Sequence, residues 1–247
     1  MLVKDDAITI GQLVRECPRR ARVFEDLKID YCCGGKLSLQ EACQKRGLNV
    51  VTVWEQLESE DSMNRDGSEY IDSDAMSLTK LCDHIEQTHH AYLKAELPRL
   101  DQMTAKVAKV HGGEDPRLLQ VRHSFEALRA ELEPHMMKEE VILFPMIRKM
   151  EVHRDQNPDQ PLPASHCGTI RNPIRQMLLE HDHAGDALHA IAELTDQYTA
   201  PDWACNTYRA MLDALQTLQL NMHQHVHKEN NVLFIKAAEL EEQLQIV

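Results

Sequence analysis

Two five-residue stretches constrain this chain more than anything else in it. His135-Met136-Met137-Lys138-Glu139 and His225-Val226-His227-Lys228-Glu229 share one spacing, and each runs into an apolar stretch, Val141-Ile142-Leu143-Phe144 and Val232-Leu233-Phe234-Ile235. A histidine and a glutamate four residues apart leave a helix in the same direction. Both pairs continue apolar seams with 3,4 spacing: Leu118, Val121, Phe125, Leu128 and Leu132 before His135, and Tyr208, Met211, Leu215, Leu218 and Met222 before His225. A third seam runs through Ile170, Ile174, Met177, His181, Ala184, Leu188 and Ile191. Either His–Glu pair alone would be explained as well by a hydrogen-bonded core pair or an exposed contact. Two of them on core seams, beside further seam histidines, need more, because a buried carboxylate without a partner is costly or takes up a proton. A bound pair of metal ions supplies the missing charge.

The pattern is an internal repeat, in which the first and second of four long helices match the third and fourth. Breaks at His111-Gly112-Gly113-Glu114-Asp115-Pro116, at 157–165 and at Thr199-Ala200-Pro201 place the helices at roughly 75–109, 117–150, 170–198 and 203–243. On the first helix the apolar stripe Leu78, Cys82, Ile85 and Tyr92 favours His89 as the inward histidine. Alignment with the third helix favours His90, which precedes Leu97 as His181 precedes Leu188. No segment alternates with period two, so the expected fold is all-α.

Residues 1–58 read as a smaller helical domain. One short helix starts at Thr9 and is limited by Pro18, a second covers Ala21 to Leu27, and Tyr31-Cys32-Cys33-Gly34-Gly35 forces a turn. Ser38 and Glu41 have capping-box spacing for a third helix that ends near Gly47, and Val50 to Leu57 makes a fourth. The polar stretch 59–74 reads as a linker to a four-helix bundle over 75–247.

Composition narrows the partners. A formal charge of −13 opposes binding to nucleic acid and to anionic membrane surfaces, and no apolar run suffices to span a bilayer. The seven cysteines, at 17, 32, 33, 43, 82, 167 and 205, are scattered, which fits reduced thiols in the cytoplasm. Adjacent Cys32 and Cys33 do not readily bond to each other. By themselves they read as small residues packed at a Gly-rich turn, and the other five cysteines receive no role.

Four imidazoles and two carboxylates, without a thiolate, suit iron or manganese better than a closed zinc site. If both glutamates bridge, each metal receives two histidines and two carboxylate oxygens, leaving positions open for O2, NO, peroxide, water or an oxo bridge.

With these residues assembled, the chain resembles the hemerythrin-like HHE superfamily, and within it the RIC (repair of iron centres) proteins. The resemblance rests on Asp30-Tyr31-Cys32-Cys33-Gly34-Gly35-Lys36, His135-Met136-Met137-Lys138-Glu139-Glu140, Leu143-Phe144-Pro145, Glu180-His181-Asp182 and Glu229-Asn230-Asn231-Val232-Leu233-Phe234. It covers nearly the whole chain. Aligning Leu97-Pro98 places the family's first-helix histidine on His90. The resemblance implies two non-haem irons per chain, held by His90, His135, Glu139, His181, His225 and Glu229. It also implies that Cys32 and Cys33 act near the iron or a partner, and that Glu131 and Glu180 assist proton movement. Ile235 replaces a family proline, His183 replaces a common glutamate, and Pro134 precedes the second histidine; none removes a ligand. No fifth seam histidine of the oxygen-carrying kind is found.

The function implied is repair of iron–sulfur clusters after nitrosative or oxidative damage, by iron donation, by NO reduction with electrons from an unidentified donor, or by both. The partners implied are NO or O2 and proteins with damaged clusters, with the chain as monomer or dimer. The competing expectations are a module that senses or stores O2, NO or iron without turnover, and a structural bundle holding zinc.

Overall fold

The computed structural model describes residues 8–62, 72–157, 160, 162–163 and 167–245. Most of the expected linker, 63–71, lies outside the described residues. Apart from an isolated bridge between Thr9 and Ser38, the described residues form helices joined by turns.

Four short helices come first: α1 (Ile10–Glu16), α2 (Arg20–Asp26), α3 (Leu39–Arg46) and α4 (Val50–Ser62). Their ends follow local chemistry. Thr9 caps α1 and pairs reciprocally with Gln12. The expected Ser38–Glu41 capping box opens α3, and Gly47 closes it at φ 66°, a left-handed conformation that glycine adopts without strain. Ile10, Leu13, Phe24, Tyr31, Leu39, Val53 and Leu57 form their common core.

Four long helices follow, each packed on its neighbour in sequence, with the last closing on the first. Three are interrupted by a π-helical turn. Helix α5 covers 78–111 as Leu78–Ile85, the π turn Glu86–His90 and Ala91–His111. Helix α6 covers 117–156 with its π turn at Glu139–Leu143, and α8 covers 206–245 with its π turn at Glu229–Leu233. Helix α7 (Arg171–Leu194) is uninterrupted. A π turn inserts one residue into the helical phase, and such insertions concentrate at functional sites.

The bundle interior contains two apolar cores. One holds Leu93, Leu97, Val121, Phe125, Leu188, Leu215 and Met222, the other Ile85, Leu143, Phe144, Met177, Val232 and Phe234. Burying each such side chain contributes about 1.5–3 kcal/mol. Every helix passes from one core to the other through a buried polar residue: His90, His135, His181 or His225. The polar layer is therefore sealed from both ends of the bundle.

The short helices dock onto the bundle through α8. Asn231 Nδ2 donates to the carbonyls of Tyr31 (3.3 Å) and Cys32 (3.4 Å). The Tyr31 ring meets His227 edge-on with centroids 5.4 Å apart. Cys32 packs into the first bundle core, and Arg15 pairs with Asp74 at 2.8 Å. Gly11 and Gly35 permit this approach: a Cβ at either would lie 2.6 or 2.7 Å from Asn231 Oδ1.

Candidate metal centre

The polar layer gathers six buried side chains. His90, Glu139, His225 and Glu229 form one set, and His135, Glu139, His181 and Glu229 a second, with the potential ligand atoms of each set within 4.8 Å of one another. Both carboxylates belong to both sets. Glu139 Oε2 lies 3.3 Å from His90 Nε2, and Glu139 Oε1 lies 3.4 Å from His135 Nε2. Glu229 Oε1 lies 3.1 Å from His225 Nε2, and Glu229 Oε2 lies 3.1 Å from His181 Nε2. His90, Glu139, His225 and Glu229 are fully buried.

The six residues fit bound cations better than they fit one another. Both oxygens of Glu139, Glu229 Oε2 and His90 Nε2 are buried with no hydrogen-bond partner. His135 Nε2 and His181 Nε2 face each other at 3.1 Å, where one proton at most can be shared. Such orphaned atoms are expensive unless a cation satisfies them. Burial and the Glu229 charge push Glu139 up, but His135 and His90 outweigh them and hold it below its ordinary range. Burial likewise pushes Glu229 up, and His225 and His181 bring it far below that range. Burial pulls His135 down, yet Glu139 raises it to about 9. Both carboxylates are thus charged and ready as ligands.

Three histidines are held from behind. Their Nδ1 atoms meet Glu140 Oε1 (His90, 2.8 Å), Glu180 Oε2 (His135, 2.8 Å) and Asn230 Oδ1 (His181, 2.8 Å). A partner on the outer nitrogen fixes the ring and its tautomer, leaving Nε2 free to bind metal. Although burial opposes it, Lys138, Gln176 and His135 hold the Glu180 carboxyl down to about 2.

The structure brings all six expected ligands together and sets Glu180 against one of them. Glu131 lies one turn before His135 on α6, exposed and without a hydrogen bond or ion pair among the described residues. Cys33 Sγ is 3.5 Å from the His181 carbonyl, and Cys32 Sγ lies 3.0 Å from Asp30 Oδ1 and 3.9 Å from Cys33 Sγ. Asp30, Cys32 and Cys33 make a further, partly exposed group with metal-ligand spacing. His183 is exposed, as its offset from His181 requires.

His90 rather than His89 enters the layer because the π turn Glu86–His90 makes the step from Ile85 five residues instead of four. His89 is buried as well, but it stacks on His225 with centroids 5.2 Å apart and bonds Asn221 and Lys228. Sequence reasoning missed Glu140 and Asn230. Each follows its shared glutamate by one residue, and that common offset was the available signal.

The chain belongs to the hemerythrin HHE cation binding domain family, whose model matches residues 83–237. Residues 6–61 match a second model, ScdA_N, described as a domain of unknown function. A group of proteins is similar to this one over nearly their whole length. The iron-sulfur cluster repair protein YtfE of Edwardsiella ictaluri is 36% identical over 92% of this chain and 95% of its own. The probable iron-sulfur cluster repair protein of Haemophilus influenzae is 31% identical over 91% and 94%. The iron-sulfur cluster repair protein ScdA of Staphylococcus epidermidis is 29% identical over 96% and 100%. The family's description as cation-binding agrees with the buried donor sets, and among the described residues no helix is long and apolar enough to cross a membrane.

Proposed function

We propose that this chain is a di-iron protein that helps restore iron–sulfur clusters damaged by nitrosative or oxidative stress. The observation that carries this reading is the pair of overlapping donor sets that share Glu139 and Glu229. Two such sets with common carboxylates are how helical bundles hold two metal ions a few ångströms apart. The names of the relatives speak for repair rather than for a sensing or storage module.

His90 and His225 would hold one iron and His135 and His181 the other, with Glu139 and Glu229 available to both. When bound, the pair of irons supplies open coordination positions and one-electron redox chemistry to a small ligand such as NO or O2. The surrounding residues do the rest. Leu93, Phe144, Met222 and Phe234 exclude bulk water, and Glu140, Glu180 and Asn230 orient the imidazoles. Glu180, joined to His135, and Glu131, one turn before His135, assist proton movement near the layer. Cys32 and Cys33, at the surface of contact between residues 1–58 and the bundle 75–247, act in transfer to or from a client protein. Iron donation and NO reduction both follow from such a centre, the second with electrons from a separate donor. The setting is the cytoplasm, with the chain as monomer or dimer.

Metal content and the optical spectrum of protein from iron-supplied cells test this reading. Roughly two irons per chain with oxo-bridged ferric bands are expected, both lost in Glu139→Ala/Glu229→Ala. The loaded protein is then expected to reactivate a hydratase whose iron–sulfur cluster has been damaged by NO, while the double variant does not. Zinc in place of iron, or iron indifferent to those substitutions, overturns the proposal.

A further inference from the structure

Resting on the di-metal reading, we propose that the two seats are unequal: the His135–His181 seat retains its ion, and the His90–His225 seat releases its ion first. The sequence repeat makes the inequality visible. Glu180 precedes His181 and reaches across to His135 Nδ1 at 2.8 Å. The corresponding residue on α5, which precedes His90 and reaches across to His225, is His89. It offers no acceptor. Its ring lies parallel to that of His225, 4° between planes, while Asn221 Oδ1 (3.2 Å) and Lys228 Nζ (2.8 Å) occupy its nitrogens. His225 Nδ1 is buried and has no hydrogen-bond partner. Of the four histidines it alone lacks support from behind.

The charges point the same way. Lys138 sits on Glu180 and Lys94 on Glu140, so each ammonium is balanced by a carboxylate. Lys228 bonds only the rings of His84 (3.0 Å) and His89 (2.8 Å) among the described residues, leaving a positive charge uncompensated behind the His225 seat. A ligand imidazole whose outer N–H meets a carboxylate or amide oxygen is a better and more rigid donor, and losing that partner typically lowers metal affinity about 10–100-fold. An ion leaving the His90–His225 seat would leave behind His135, His181 and both carboxylates around the second ion. A protein built in this way can give up one metal without dismantling its centre.

The test loads full-length apoprotein with Co(II), counts the ions taken up, and follows their removal by excess chelator. Two release phases of equal amplitude are expected, differing in rate by about tenfold or more. Glu180→Gln and Asn230→Ala are expected to speed the slow phase alone. Glu140→Gln is expected to speed the fast phase, and His89→Glu, which places a carboxylate behind His225, to slow it. With one equivalent of Co(II), anomalous diffraction is expected to find the ion between His135 and His181. A single release phase for both ions, or a first equivalent found between His90 and His225, would overturn the inequality while leaving the di-metal reading intact. Uptake that never exceeds one ion per chain would overturn the di-metal reading, and this proposal with it.

Discussion

Helices α5 and α6 make one half of the bundle and α7 and α8 the other, and the two halves agree in the expected ligands and in a glutamate that caps a helix start, though not in what stands behind His225 and His135. His90 corresponds to His181, and Glu139 to Glu229. Glu151 Oε1 accepts from Leu78 N at the start of α5 (3.0 Å), and Glu241 Oε1 accepts from Ile170 N before α7 (2.7 Å), each at the same offset beyond Glu139 or Glu229. The halves part company on the outside. Met137 and Val141 of α6 are 59% and 68% exposed, whereas their counterparts His227 and Asn231 are turned to Tyr31 and Cys32 of the short helices. Repetition preserves what the shared centre needs from both sides, and divergence marks what only one side does.

The largest expected effect tests the shared part. Because each carboxylate faces both histidine pairs, Glu139→Ala and Glu229→Ala are each expected to remove most bound metal rather than one ion, as measured by elemental analysis of purified protein. If either variant kept one tightly held ion, the carboxylates would belong to separate sites and the correspondence between halves would fail.

The next effect tests the divergent part. Gly11→Ala would set a Cβ 2.6 Å from Asn231 Oδ1 and 2.8 Å from the Gly35 carbonyl, a clash with backbone that cannot relax locally. A loss of about 1–3 kcal/mol is expected in denaturant unfolding, with faster amide exchange around Tyr31 and Cys33. Val141→Asn, which puts the docking residue on the opposite half, is expected to change neither. Equal effects would show that this face of α6 is engaged as well as that of α8.

These comparisons also show what the sequence could and could not disclose. The seams through Phe125, Leu132, Leu188 and Leu215 were legible because a regular α-helix returns to one face every three to four residues, and His135, His181, His225, Glu139 and Glu229 lie on them. His90 was not legible from periodicity, since the π turn that carries it shifts the phase on which that reading depends; alignment with the third helix and the resemblance pointed to it instead. Glu140, Asn230, Glu151 and Glu241 stayed hidden for another reason. Each acts on a different helix from its own, and side-chain reach between helices leaves no periodic trace within either one.

Smaller still are the capping glutamates. A buried carboxylate that accepts from two backbone N–H groups at a helix start acts as an N-cap supplied from another helix, so Glu151→Gln is expected to cost about 1–2 kcal/mol in urea unfolding of the metal-free protein. Glu241→Gln is expected to match it if the halves are as alike in their ends as in their ligands.

The smallest effect is the pH dependence of that cap. Burial pushes the Glu151 carboxyl up, but hydrogen bonds from Thr79 and Leu78 outweigh it and bring the group below its ordinary value of 4.5. A carboxyl lowered by folding binds fewer protons in the native than in the unfolded chain. Its contribution is therefore complete above the unfolded value and disappears as pH falls through the lower, folded one. Comparing wild type with Glu151→Gln in metal-free protein, the stability difference is expected to hold constant at neutral pH and to shrink under acid, since the amide does not titrate. A difference that instead grew on acidification would mean that the carboxyl is protonated in the folded protein, and that α5 starts from a neutral cap.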